Sequence, residues 1–566
     1  MLQVIVAVCL AMIVTDAAAQ VAQGAPRPGL PGGRVQRPPR DPGAANEAGT
    51  AVIRGRVVAA DTGQPVRRVQ VRAYSGDGRG SRMASTDAEG RFELRDLPAG
   101  RWNLSATKAG FVSLSYGQRR PFESGRPIEL RDGETMPRAD FVLPRGSAIM
   151  GRILDEFGDP VAAAHVQAVR YRSLQGDRRL MPMGMGDQTD DTGAFRLYGL
   201  PPGDYYVSAA LRNRMFDDAS DGTGYAATYY PGTGNVAEAQ RVTLALGQEQ
   251  PNITFALQPT RTVRVTGTVV DSQGQRVRGG FINLMEASGG SGGFMMGSAG
   301  GGPVRPDGSF TLANVVPGSY TLSVRGGMSE DAEFAQVPIT VGNEDLSGVN
   351  LVTGRGAALT GRVAIAAGSA GNLSLTAVQV MGQPDRFQPM MMGFRPGRVE
   401  DDGTFRLEGL TGRRYIRIIG LPPAWTLKAV LLNGFDVTDT PLEFTGTEET
   451  SGVQVLVTDR VTEVNGKVTD AKGEPTRDYT VVIFPDDPAK WDFPSRHVRA
   501  GRADQQGLFK VRGLPPGEQY LAVAVDYIEE GEGGDPEFLR EMRDQATRLQ
   551  LGEGEVKAID LKLIQR

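Results

Sequence analysis

"TDDTGAFRLYGLPPGDYYVSAAL" runs from Thr189 to Leu211, and its reading decides the fold. A glycine-rich phrase that cradles a phosphate leads into a helix N-terminus. Here Gly203 leads into Tyr205-Tyr206-Val207-Ser208-Ala209, a strand pattern. Upstream, Asp190 and Gly193 read as a tight turn whose glycine takes positive φ and whose aspartate bonds its own backbone. Pro201 and Pro202 cannot donate to a ladder, so they end the strand begun at Phe195. Tyr205 starts the next strand and is expected to bury its ring.

The pattern recurs five times. Its other copies are "TDAEGRFELRDLPAGRWNLSATKAGF" (Thr86 to Phe111), "RPDGSFTLANVVPGSYTLSVRG" (Arg305 to Gly326), "EDDGTFRLEGLTGRRYIRIIGL" (Glu400 to Leu421) and "ADQQGLFKVRGLPPGEQYLAVAV" (Ala503 to Val525). Phe92, Phe195, Phe310, Phe405 and Phe509 anchor the turns, each followed by an aromatic: Trp102, Tyr205, Tyr320, Tyr415 and Tyr520. These ten are expected to be structural. A second anchor, such as "GRVV" at Gly55 or "GKVT" at Gly466, opens each copy, and a short alternating run such as "ADFVLPRG" closes it. Period-two alternation cut by Gly, Pro and Asp turns means half-buried antiparallel strands. Several per hundred residues mean an all-β chain of five tandem Greek-key β-sandwich modules of prealbumin-like or immunoglobulin-like shape. They are expected over 51–145, 146–260, 261–355, 356–460 and 461–566, with no further module. "DPEFLREMRDQATRLQL" (Asp535 to Leu551) predicts one short helix in the last, at the edge of the sandwich.

At 566 residues the chain is too long for one core. Its formal charge of −4 argues against a nucleic-acid partner. Leu2 to Val14 is apolar and Ala17-Ala18-Ala19 is a small-residue cleavage pattern, so 1–19 reads as a secretory signal peptide. Residues 20–50 read as a disordered Pro/Gly/Arg linker. An exported protein is expected, in the periplasm, at the cell surface or outside the cell, with no transmembrane segment after cleavage. Cys9 is the only cysteine, so disulfides are not expected in the mature chain.

"GRVVAADTGQPVRRVQVRAY" together with "TDAEGRFELRDLPAGRWNLSATKAGF" resembles the carboxypeptidase regulatory-like domain. The resemblance extends over nearly all the chain after Thr50 and weakens in the fourth unit, where "GLTGRRY" lacks the prolines. It implies a transthyretin-like sandwich, close to starch-binding-like modules and adhesin repeats, and says little about function. Members are accessory modules of peptidases, receptors and secreted proteins.

No residue set carries catalysis. The two histidines, His165 and His497, fall in different units, and His165 reads as a strand position. The acidic pairs Asp190–Asp191 and Asp401–Asp402 sit at turns and offer too few oxygens for a calcium loop. Lys467 and Asp560 occupy the first and last strands of the fifth unit, where some adhesin repeats carry an isopeptide bond, but alternation turns both outward. Met181, Met183, Met185, Met295, Met296, Met390, Met391 and Met392 recur in one loop of three units. They read as a flexible loop over one sandwich end, with a partner surface or a Cu(I) site as alternatives. Tyr225, Tyr229, Tyr230, Trp425 and Trp491 are loop aromatics that could stack on sugar rings. The leading expectation is therefore a non-enzymatic interaction or structural protein without cofactors, its partner a protein or a glycan. The alternative is a carbohydrate-binding protein using those aromatics.

Overall fold

The computed structural model describes residues 49–75, 80–174, 176–211, 223–286, 298–326, 333–386 and 396–566. The expected signal peptide and nearly all of the linker lie outside them. The chain is all-β, in five modules each built around its own apolar core.

The first module shows the plan. Its strands are β1 (Ala51–Ala59), β2 (Gln70–Ser75), β3 (Ser81–Ser85), β4 (Arg91–Leu97), β5 (Gly100–Thr107), β6 (Leu114–Ser115), β7 (Ile128–Leu130), β8 (Thr135–Met136) and β9 (Phe141–Leu143). One sheet runs β4-β1-β8 with β9 also on β1, and the other runs β3-β2-β5-β6 with β7 also on β5. Ile53, Val57, Phe92 and Leu94 from the first sheet meet Val71, Ala73, Trp102 and Leu104 from the second. These are the inward residues of each alternating run.

The closing run is not antiparallel to the first strand, as alternation alone suggested. Val57 and Val58 on β1 pair in parallel with Phe141 and Val142 on β9. The same parallel pairing joins Ile153 to Phe255, Val269 to Leu351, Val363 to Val455 and Val468 to Leu561. Parallel pairing explains the glycine that opens every unit. Gly55, Gly151, Gly267, Gly361 and Gly466 each lie directly across from the anchor phenylalanine, at Phe92, Phe195, Phe310, Phe405 and Phe509. A carbonyl from the closing segment approaches the same carbon. A Cβ there would lie 2.4 Å from Ala139 O, 1.8 Å from Ile253 O, 2.0 Å from Val349 O, 2.3 Å from Val453 O and 1.8 Å from Ile559 O. Any side chain would collide with backbone on one side and, in the first, third and fourth modules, with the phenylalanine ring on the other.

The turns form as read. Gly90, Gly193, Gly308, Gly403 and Gly507 take φ between 70° and 87°. The aspartate carboxylates cap them: Asp190 Oδ1 accepts from the Thr192 N–H and hydroxyl and from the Ala194 N–H, and Asp504 Oδ1 accepts from Gln506 and Leu508. After the proline phrase the buried aromatic reaches back. Trp102 Nε1 donates to Pro98 O at 3.0 Å, and the hydroxyls of Tyr205, Tyr320 and Tyr520 donate to Pro201, Val316 and Pro515 O at 2.6, 2.7 and 2.8 Å.

The fourth module departs from this plan, and the expected anchor Tyr415 is corrected. Its phrase is one residue shorter, so the position facing the core falls on Arg414. Arg414 pairs with Pro384 as Tyr520 pairs with Pro485. It is buried, and its Nε donates to Thr411 O at 2.7 Å, the bond the tyrosine makes elsewhere. Tyr415 lies one step on, half-buried, with the Arg417 guanidinium 4.9 Å from its ring centroid.

The helix is also shorter than expected. It is α1, Pro536–Met542, capped by Asp535, whose side chain accepts from the Glu537 N–H. A 3₁₀ turn follows, and Thr547–Gln550 is a strand paired with Gln519–Val525. Phe538, Leu539 and Met542 bury against Val482, Phe484, Leu521 and Val523. The central strands of the fifth module are therefore covered on both faces. That is why Thr480–Pro485 and Gln519–Val525 read as continuous apolar runs.

Candidate functional site

The sequence-predicted residues do not converge. Met181 and Met183 are half-buried on one arm of a hairpin, the strand Asp177–Gln188, and not on a flexible loop. Met183 packs on the second core. Gly184, at φ 71°, breaks the alternation, leaving Met185 84% exposed. Met295, Met296, Met390, Met391 and Met392 lie outside the described residues. The aromatics expected in exposed loops are mostly buried. Tyr229 packs with Val169 and Leu180, Trp425 belongs to the fourth core, and Trp491 stacks edge-on against Phe484 while its Nε1 donates to Pro485 O. Their ring faces are covered by protein. Tyr225 is half-buried with its hydroxyl donating to Glu156, and Tyr230 lies edge-on to Phe255. His165 is buried on the strand Ala164–Leu174. Lys467 and Asp560 are exposed, 4.0 Å apart.

Charged groups gather elsewhere, where the fifth module meets the first and second. The first module supplies the segment after β6. In it Phe122 adopts φ 62°, a left-handed conformation that a bulky residue rarely takes. That backbone turns the ring outward beneath Arg170 of the second module, whose guanidinium lies 3.7 Å from the ring centroid. It also presents Phe122 O to the Glu530 N–H of the fifth module at 2.9 Å. Beside it Glu123 forms a backbone bridge with Glu529.

The centre of the junction is an ion pair. Glu123 Oε1 lies 3.0 Å from Arg502 Nη2, and the two side chains are only 4% and 3% exposed. Glu123 Oε2 accepts the N–H groups of Arg119 and Arg120, and Arg502 Nη1 donates to Ser124 O. Burial pulls the Arg502 pKa down and Glu123 opposes that fall. Around this pair, Arg126 Nη2 donates to Asp478 Oδ1 at 2.9 Å and Arg120 Nη2 to Asp526 Oδ2 at 3.0 Å. Arg170 Nη2 donates to Glu529 Oε1 at 2.7 Å. Ser173 Oγ donates to Asp535 at 2.9 Å, so the helix cap is shared with the second module. Gln505 and the backbone of Glu129 exchange two hydrogen bonds, at 3.0 and 2.7 Å.

A second junction joins the fourth and fifth modules. Asp439 accepts from Arg496 Nε at 2.9 Å and lies 3.2 Å from His497 Nε2, while His497 Nδ1 faces the Tyr520 hydroxyl at 3.4 Å. Burial alone would raise the Asp439 pKa. Hydrogen bonds from His497 and Arg496 and the Arg496 charge overcome this and hold it well below the usual carboxylate range. A cavity of about 280 Å³ opens at the first junction, lined in part by Ser124, Gly176, Trp491, Phe493 and Glu529. Its carboxylate is already paired to Arg170, and the Ser495 hydroxyl on its wall donates to Lys490 O. This chemistry fastens modules together. Sequence reading missed both junctions: the Arg126–Asp478 and Arg170–Glu529 partners of the first lie 352 and 359 residues apart, and the Arg496 and His497 partners of Asp439 in the second lie 57 and 58 residues away, in a different module; the one local signal was the arginine pair in "GQRRPFESGR".

The model of the carboxypeptidase regulatory-like domain matches residues 52–144. No curated protein matches the chain. Among solved structures the chain is similar to the Bacillus anthracis TIE protein, at 14% identity over 54% of this chain and 51% of that one, TM-score 0.15. This chain thus spans about half the length of that protein. It is also similar to the Streptococcal ancillary pilin, at 15% identity over 54% and 98%, TM-score 0.19. The minor pilin GBS52 of Streptococcus agalactiae is matched at 14% identity over 38% and 98%, TM-score 0.22. Residues 52–144, with the Gly55–Phe92 pair, the Asp87–Gly90 turn and the buried Trp102, are thus the part of the chain that matches the carboxypeptidase regulatory-like domain, and the four modules that follow repeat its glycine–phenylalanine pair.

Proposed function

We propose that the chain is an exported, non-enzymatic structural protein whose five modules, bounded near residues 145, 260, 355 and 460, present surfaces to a protein partner. One observation carries this reading: Glu123 and Arg502, both buried and charged, are spent on joining modules distant in sequence. A glycan partner is the weaker reading, because Tyr229, Trp425 and Trp491 have their rings in cores. The test uses the chain with its own N-terminus. N-terminal sequencing of the exported product is expected to begin at Gln20. The purified protein is expected to bind no glycan on an array and to turn over no peptide, ester or glycoside. Retention in the cytoplasm overturns export, and turnover that saturates and disappears with a single side-chain replacement overturns the non-enzymatic reading.

A further inference from the structure

The junction of the first, second and fifth modules is made by two different surfaces of opposite charge. The first and second modules supply Arg119, Arg120, Arg126, Arg170 and Arg172, and the fifth answers with Asp478, Asp526, Glu529 and Glu530. Among the described residues only the central pair is reversed: Glu123 comes from the first module and Arg502 from the fifth. A reversed pair at the centre of a field of one polarity sets the register, since sliding would place like charges together. The contact is heterologous, patch against unlike patch, so one chain carries both a donor and an acceptor surface.

Within one chain these surfaces are joined only through the third and fourth modules. The connections that would have to turn are short. The second leads into the third through Pro259–Arg261, and the third leads into the fourth through Thr353–Ala357, which holds Gly354 and Gly356, the latter at φ 73°. A turn between Gly354 and Gly356 opens the Phe334–Gly354 bridge, two backbone hydrogen bonds of 3.0 Å, and leaves Ala357 in the fourth core while it releases the fifth module. Once released, it meets the same arginines on any other copy.

We propose that this junction also forms between molecules, the fifth module of one copy seating on the first and second modules of another, so that the partner is a second copy of this chain. The inference goes beyond the function proposed above, since it needs neither export nor a foreign ligand. Exchange preserves every ion pair and hydrogen bond of the junction. The balance between closed monomer and exchanged dimer is then set by effective concentration against protein concentration. Dilute protein is closed, and crowded or transiently opened protein exchanges. Opposite charges speed the encounter and make it sensitive to salt.

The experiment uses two full-length variants. In one, Arg126→Glu and Arg170→Glu reverse the acceptor surface. In the other, Asp478→Arg and Glu529→Arg reverse the donor surface. Alone, each repels its own fifth module and is expected to run as an expanded monomer by size exclusion with light scattering. Mixed, their reversed and native surfaces complement one another in both directions, and a 1:1 heterodimer is expected that dissociates at high salt. A single chain carrying all four reversals is expected to return to a compact monomer, which separates lost closure from lost folding. Two non-interacting monomers in the mixture, beside a compact fourfold variant, overturn the proposal. A fourfold variant that stays expanded overturns the charge pairing on which it rests.

Discussion

A single carbon position shows how this sequence controls its fold. At Gly151, which pairs with Phe195, there is room for hydrogen and nothing larger, because the Ile253 backbone closes in from the parallel side. Gly151→Ala is expected to cost the second module at least 2 kcal/mol, within the range for overpacking and backbone shift, and to lower the denaturant midpoint of that module. The Tyr205 hydroxyl bonds Pro201 O from within the core. Tyr205→Phe keeps the ring and loses the bond, so a milder loss of about 1 kcal/mol is expected in the same measurement. Asp439 gives a pH prediction. Its pKa is depressed in the folded chain, so its stabilisation is complete above the ordinary carboxylate value of about 4 and falls as pH drops below that. Acid titration followed by proteolysis between the fourth and fifth modules is expected to show weakening below about pH 4. Asp439→Asn is expected to weaken the contact at neutral pH and to remove its acid dependence.

Among elements, α1 is short because its apolar positions serve one patch. Phe538, Leu539 and Met542 cover the outer face of the fifth module's central strands, and Arg543–Gln545 then tightens into a 3₁₀ turn. Leu539 is fully buried there, and Leu539→Ala is expected to cost about 2–5 kcal/mol in the unfolding of that module. Asp177–Gln188 shows the opposite case, a strand where Met and Gly suggested a loop. Pairing with Ala164–Leu174 overrode the weak strand propensity of its glycines. With Met183 on the core and Met185 in solvent, Met181, Met183 and Met185 do not converge on one point. Titration of the purified chain with Cu(I) is expected to show no stoichiometric uptake at these three residues, judged by an unchanged isotherm when all three are replaced by Leu.

Across residues 46–566 the junctions dominate. Removing one partner of the Glu123–Arg502 pair leaves a buried charge alone, so Arg502→Ala is expected to weaken closure by about 3–5 kcal/mol. The scattering radius should grow while the individual cores keep their unfolding transitions. Joining Ser173 to Asp535 as a disulfide, through Ser173→Cys and Asp535→Cys, is expected to form readily under mild oxidation and to hold the chain compact in high salt. The only native cysteine is Cys9, which keeps this measurement clean.

The five-module sandwich was legible in the sequence because its determinants are local. A turn needs glycine at positive φ, a strand needs alternation, and a core needs one large ring at a set spacing, and all three lie within about thirty residues of one another. The substitution of Arg414 for a tyrosine was not legible, because deleting one residue from a proline phrase shifts which side chain faces inward. The junctions were decided by the tertiary structure alone. Arginines near residue 120 and carboxylates beyond residue 478 carry no sign in sequence that they meet. Only the folded chain brings them within hydrogen-bond distance, since charge complementarity has no period and no spacing, and acts through space.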